Sequence, residues 1–429
     1  MENAPAGTRD FLPKDMRTRN WLFDIWRDVS ISSGFQEYDC PIVEYQNLYT
    51  RKGGDDILQE MFTMEIGNNK LALRPEMTPS VCRLIMNNYT TETPPFKWFS
   101  IPQCWRYEDI KRGRKREHYQ WNVDIFGATA IKSEIEILMM ICAFFEQINL
   151  TPADVVVKIS NRMILQKVIQ NMGIDNALFE PACIIIDKLA KMSVENMTIK
   201  LKNEIGMTDQ QVMQIYDLCA IKDIKLIANY LGENDPTFSE MSEIFSLAEK
   251  IGISQWLQFD ASIVRGLSYY SGMVFEAFSK SLPNLQKSIC GGGRYDDLLT
   301  KYGYREKVPA IGFGFGDVVI TELLSDLGKL PVLTIATKFL IVPFDELFAD
   351  ACNVAQQMRL AGANVEIYTK NTNMSKAFDY AYNKNIKFVV LIAPNEWSKR
   401  EIKIKNMWLE KDDPLKQQTI LLDDFITRL

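Results

Sequence analysis

A single histidine, His118, stands in 429 residues, and the eight cysteines at 40, 82, 104, 142, 183, 219, 290 and 352 contain no CxxC pair. No zinc-ligand spacing can be assembled from that set, and scattered thiols in a long chain suit a reducing compartment better than a disulfide framework. Long apolar runs are missing too. The longest, Ile137 to Phe145, has nine residues, against the roughly 18 or more that a membrane span requires. The opening MENAPAGTRDFLP has neither a basic segment nor an apolar one, so no secretory leader is expected. Positive charge is not in excess: 49 Lys and Arg face 55 Asp and Glu, a net charge of −6. A polyanionic partner must therefore be met by a local basic patch, because the overall field repels it.

Hydrophobic residues at 47% and charged residues at 24% are the ordinary globular mixture. The length predicts about two to four domains. Trp21, Leu22, Ile25, Trp26 and Val29 form a helical stripe that stops at Gly34, and Gly34 to Glu44, with Pro41, reads as an extended edge piece. Ser133 and Glu136 have capping-box spacing and open an apolar helix ending near Asn149. Helical periodicity then replaces alternation, as at Leu218, Ile221, Ile224 and Leu226. The expected organisation is residues 1–160 as the first part of a core, 161–257 as a helical insertion, 258–327 as its second part, and 328–429 as a separate α/β unit. Strand-like runs are expected from Phe259 past Ile320. In the last unit strands at Phe339–Pro343, Val365–Tyr368 and Phe388–Ile392 alternate with helices.

The densest motif is CWRYEDIKRGRKREHYQWNVDIFG, Cys104 to Gly127. Tyr119, Trp121, Val123 and Ile125 alternate with Gln120, Asn122 and Asp124, giving one apolar and one polar face. Before them, five of the six residues from Lys111 to Arg116 are basic. The segment reads as a hairpin with a mobile cationic tip. It is either a solvated turn or a site for phosphates, whose oxygens match arginine forks. In LALRPEMTPSVCR, Glu76 and Thr78 follow an extended run, and a helix start is the alternative reading. In SIVRGLSYYSGMVFEAF, Arg265 lies among apolar neighbours and is costly to bury without an anion. CGGGRYDDLL allows a close backbone approach or a turn. PAIGFGFGDVVI lacks the spacing of a dinucleotide fingerprint and suits close strand-to-helix packing under a nucleotide, with plain core packing as the alternative.

In this order the segments closely resemble the histidyl-tRNA synthetase family of class II aminoacyl-tRNA synthetases, over nearly the whole chain. GTRDFLP is similar to the family's N-terminal signature, GFQEYDCPIVE to motif 1, CWRYE through DIFG to motif 2, and VRGLSYY with GGGRYD to the two histidine signatures. The resemblance implies a mixed α/β fold: an antiparallel class II catalytic sheet flanked by helices, a helical insertion and a C-terminal α/β anticodon-binding domain. It implies activation of histidine with ATP and Mg2+, transfer to tRNA(His), a homodimer built around Pro41, and cytoplasmic use with an organelle left open.

Residue by residue, the resemblance assigns Arg106 to the α-phosphate and Glu108 to the adenine amino group. Arg114 and Arg116 serve the terminal phosphates, and Lys111, Arg112, Lys115 and Arg116 the tRNA acceptor end. Glu76, Thr78, Gln120, Asp124, Arg265, Tyr269, Tyr270 and Tyr295 hold histidine. Arg265 is implied as the electrostatic catalyst at the α-phosphate, beside Arg106. The chain departs from the family at three places: Val319 stands where motif 3 has an arginine, His118 where motif 2 has a phenylalanine, and Asp124 where a glutamate is usual. A synthetase-like regulatory subunit of ATP phosphoribosyltransferase and a tRNA-sensing module are the alternatives.

Overall fold

The computed structural model describes residues 3–50, 59–188, 192–264, 269–282, 287–370, 374–410 and 412–429. Two compact units divide the chain, residues 1–330 and 331–429.

Among the described residues the first unit is built on a nine-stranded sheet. Its path runs Gln36–Glu37, Phe96–Ser100, Glu117–Phe126, Ala310–Gly316, Cys290–Arg294, Met273–Ser279, Val155–Asn161 and Leu257–Phe259, with Gln103–Trp105 paired to one end of Glu117–Phe126. The two outermost pairings are parallel and the ladders between them antiparallel. One face is covered by the helices Pro13–Ser32 and Lys132–Gln147. The first begins with proline at N1 and an Asp15 carboxylate accepting the Leu12 N–H at 3.2 Å. It closes at Gly34, whose φ of +78° suits glycine. Its stripe buries Leu22, Trp26 and Val29 against Trp121, Phe144 and Phe315.

Helices also fill the stretch from Arg162–Asn171 to Pro236–Lys250, and their apolar side chains Ile169, Ile186, Leu201, Ile215 and Ile244 join the same core. The strand run expected past Ile320 is corrected. It ends at Gly316, and Asp317–Asp326 is helix, burying Val319, Ile320, Leu323 and Leu324 on one side. The capping box at Ser133 is also corrected. The helix starts at Lys132 with Ile131 as its cap, Glu136 instead pairs with Lys97, and the Ser133 hydroxyl accepts from Arg294 Nη2 at 2.7 Å. Local spacing could not reveal this, because the partner lies 161 residues away.

Arg294 deserves its burial for a physical reason: its Nε pairs with the fully buried Glu134 and its Nη1 lies 2.9 Å from Asp296. Asp296 in turn accepts the Ala310 N–H at 3.0 Å. One guanidinium thus fixes a helix start, a strand end and the entry to the next strand.

The second unit has a five-stranded sheet in the order Val365–Ile367, Phe339–Pro343, Phe388–Ile392, Glu401–Asn406, Gln417–Leu421, parallel over the first three strands and antiparallel over the last three. Phe348–Leu360 packs Ala351, Val354, Ala355 and Met358 on one face, while Met374–Asn383 packs Ala377 and Ala381 within a second cluster.

Replacing Arg294 by Met should leave Glu134 charged and unpaired in the interior, a loss of about 3–5 kcal/mol. Urea unfolding of the variant reads this directly, and a midpoint equal to that of the parent chain would contradict it.

Candidate active site

Alternation along Glu117–Phe126 sends Trp121, Val123 and Ile125 into the apolar core and Gln120, Asn122 and Asp124 to the opposite face. Directly opposite them in the ladder stand Gly316, Gly314 and Gly312. Gly314 and Gly312 pair onward with Gly291 and Gly293. Side chains there would collide with the polar row. A Cβ on Gly314 would lie 1.7 Å from Gln120 Nε2, and one on Gly312 would lie 2.4 Å from the Tyr295 hydroxyl and 2.6 Å from Asp124 Oδ1. The expected role of these glycines in strand-to-helix packing is therefore corrected: they make a trough floored by main chain, across which the neighbouring strand lays its polar groups.

Asp124 is buried, and the Tyr295 hydroxyl donates to its Oδ1. Among the described residues, its Oδ2 and the Asn122 Oδ1 are buried without a hydrogen-bond partner. Burial pushes the Asp124 carboxyl up to about 7, with the Tyr295 hydrogen bond opposing the shift. Burial and the adjacent carboxylate raise the Tyr295 phenol as well. Tyr269, Tyr270 and Tyr295 form one aromatic wall, with centroids 4.7, 5.8 and 6.3 Å apart. Glu76 is buried just before the helix Thr78–Asn88, in which Thr78 is the first residue and half-buried. Burial raises the Cys82 thiol, and the charges of Asp124 and Glu76 add to the shift, so both carboxyls lie within electrostatic range of it.

The basic groups occupy the other end of the Glu117–Phe126 strand. Arg106 follows Gln103–Trp105, and its Nε donates to the Pro75 carbonyl at 2.9 Å. Among the described residues it makes no ion pair. Glu108 pairs with Arg114 at 2.9 Å. Arg116 lies 3.7 Å above the Tyr107 ring. His118 stands opposite Cys104 in the ladder, on the same face as Gln120. Burial, then the charges of Arg106 and Arg9, lower its pKa to about 3, so the ring is neutral at pH 7.

The expectation of a mobile tip is corrected. Arg112 reaches Glu322 at 3.3 Å and pairs with Asp326, while the Gly113 N–H donates to Glu322 at 3.2 Å. The tip is docked on the helix Asp317–Asp326, with Val319 beside Gly113. Lys111 lies 3.7 Å from Asp109 at the exposed side, and Lys115 is half-buried.

Arg265 lies outside the described residues. Pro41 is exposed and flanked by exposed Ile42, Val43 and Tyr45. Three arginines went unrecognised in the sequence. Arg74, within the RPE triplet, is buried and donates to the Gln103 and Cys40 carbonyls at 2.9 and 2.6 Å. Arg294 is described above, and Arg9 pairs with Glu117 and Asp317. Each sits in a quoted motif, but its partners are distant in the chain.

A family model described as histidyl-tRNA synthetase matches residues 7–316, and one described as an anticodon binding domain matches residues 332–429. The chain belongs to the histidyl-tRNA synthetase family. It is 40% identical over 408 residues to a protein named histidine–tRNA ligase, chloroplastic/mitochondrial, from Arabidopsis thaliana, covering 94% of this chain and 82% of that one. It is 34% identical to a histidine–tRNA ligase from Leptospira biflexa, covering 94% and 92%. The crystal structure of histidyl-tRNA synthetase from Nostoc sp. PCC 7120 superposes with a TM-score of 0.80 at 26% identity, over 99% of both chains. A Bacillus halodurans structure titled as an ATP phosphoribosyltransferase regulatory subunit/histidyl-tRNA synthetase shares the fold at 21% identity and TM-score 0.74.

The Asp124 environment in this synthetase-family chain has a pH signature. A carboxyl raised from 3.8 to about 7 binds more protons folded than unfolded between those values, so its contribution to stability is present at low pH and is lost as pH rises toward 7 and above. Asp124→Asn should gain stability relative to the parent chain as pH rises from 4 to 8, by on the order of a few kcal/mol. Thermal melts of both proteins across that range test it, and a difference independent of pH would contradict the raised pKa.

Proposed function

We propose that this chain activates L-histidine with ATP and transfers it to the 3′ end of tRNA(His), releasing pyrophosphate and then AMP. The observation that carries the reading is Asp124: a buried carboxyl at the end of a glycine-floored trough, with one oxygen held by Tyr295 and the other unpartnered. Such a group is completed by a small cationic ligand. An amino acid whose ammonium and ring N–H groups reach Asp124, Gln120, Glu76 and Thr78, with Tyr269, Tyr270 and Tyr295 closing around it, fits that need. Substrates lacking those polar groups would leave buried atoms unpaired, which is a strong basis for selectivity.

In the first step a carboxylate oxygen of histidine forms a bond to the α-phosphorus, and the bond to the bridging oxygen breaks with pyrophosphate taking the electron pair. Two anions approach each other, so fixed cations lower the barrier. Arg106, anchored on Pro75, is the described cation for this role, and Arg265 is assigned beside it from the sequence. Arg114 and Arg116 would take the terminal phosphates, with Glu108 at the adenine amino group and neutral His118 against the base. In the second step a ribose hydroxyl of tRNA attacks the acyl carbon and AMP departs.

Magnesium would screen phosphate charge as the ATP complex. No three His, Cys, Asp or Glu side chains converge as a metal site among the described residues.

The exposed Lys111 and the half-buried Lys115 of the tip would meet the acceptor end. The C-terminal unit would read the rest of the tRNA, and its exposed Trp408 and Tyr382, with Lys387 5.2 Å from the Trp408 ring, supply stacking and charge. The exposed Ile42, Val43 and Tyr45 around Pro41 support a homodimer. We read the compartment as the cytoplasm, with an organelle as the second option in view of the Arabidopsis relative's name.

Pyrophosphate exchange with ATP and Mg2+ should proceed with histidine alone among the standard amino acids. Arg265→Ala should lower it by ~10² or more while tRNA affinity is kept. Absence of exchange from the folded chain would move the reading to a regulatory or tRNA-sensing relative. Replacing Lys111, Arg112 and Lys115 together should weaken tRNA binding and flatten its dependence on salt. Binding titrations at several salt concentrations measure the slope, and an unchanged slope would mean that the tip does not touch RNA.

A further inference from the structure

Behind the trough, on the reverse face of the Glu117–Phe126 strand, the N-terminal segment straps the cationic loop in place. The Arg116 N–H donates to the Gly7 carbonyl at 2.8 Å. Gly7 has φ +86°, and a Cβ there would lie 2.8 Å from Arg116 Cγ. Two residues on, Arg9 reaches Glu117 through Nε at 2.6 Å and through Nη2 at 3.3 Å, and its Nη1 lies 2.9 Å from Asp317. Both acids are buried. Glu117 opens the strand, directly before His118. Asp317 opens the helix on which the loop tip docks, and its Oδ1 accepts the Tyr119 N–H at 2.9 Å.

One planar guanidinium therefore joins the base of the loop to its landing helix. A lysine, with a single point of charge, could not fork across the two. We infer that Arg9 is a positioning residue for the nucleotide: it fixes the separation of Glu117 and Asp317, and through them the placement of His118, Arg106, Arg114 and Arg116 around ATP. It acts from the reverse face and does not reach the Asp124 end of the trough. The inference rests on the synthetase reading above.

The test is pyrophosphate exchange with ATP and histidine each varied, on the full chain and on Arg9→Met, Arg9→Lys and the double variant Arg9→Met/Asp317→Asn. The double variant returns the buried cluster to its original net charge without restoring the fork, so it guards against simple misfolding. Arg9→Met should raise KM for ATP by about tenfold or more, the scale of a small misplacement of binding groups. The double variant should regain melting temperature yet keep the raised KM for ATP, and Arg9→Lys should fall between. KM for histidine should stay within about twofold throughout, since the Asp124 end does not depend on this clamp. A normal KM for ATP in the folded double variant would overturn the inference, as would equal rises in both KM values. An inactive parent chain would instead overturn the synthetase reading itself.

Discussion

The pairing of Glu117–Phe126 with Ala310–Gly316 is the constraint on which the rest depends. One strand is buried on both faces, apolar behind and polar in front, and this is tolerable only because the facing residues at 312 and 314 carry no side chain. A polar row laid over ordinary residues would be squeezed out toward solvent. Laid over glycine, it stays inside, where a lone carboxyl is costly and becomes selective. The apolar face of the same strand, through Trp121 against Trp26 and Phe144, holds the register that keeps the polar row in place.

The sequence made the front-and-back division of this strand legible, because alternation is a local property. It also identified the separate C-terminal sheet and the basic loop. What it could not convey was which charges meet. Arg112 with Asp326, Arg294 with Glu134 and Arg9 with Asp317 are separated by 214, 160 and 308 residues, and no window on the sequence contains them. The capping box failed for the same reason. Ser133 had a plausible local partner, but a buried guanidinium competed for its hydroxyl and won. The glycines were seen as a pattern, while the side chains they make room for come from two other strands.

The charge arrangement of the loop follows from the acidity of the whole. Five basic residues within six positions repel one another, and here acids from elsewhere in the unit divide them: Glu108 holds Arg114, while Glu322 and Asp326 hold Arg112. Arg106 is left without such a partner among the described residues, its direction set by a carbonyl. If a phosphate binds here as proposed, it would meet Arg106 and Arg116, which make no ion pair among the described residues, while Arg112 and Arg114 would have to exchange partners, so its binding energy would be offset by the broken pairs. Exchange of this sort sharpens discrimination, because a ligand with too few anionic oxygens cannot compensate every pair it breaks.

A floor of main chain also restricts how the trough can change over evolutionary time. Single substitutions at Gly312 or Gly314 add bulk where the adjoining polar groups already lie, so they obstruct rather than retune. New chemical preferences are accessible chiefly through the polar row, at 120, 122 and 124, each of which can alter length or charge without disturbing the ladder. Asp124, one methylene shorter than the glutamate that the family resemblance leads one to expect, would be a variation of that permitted kind.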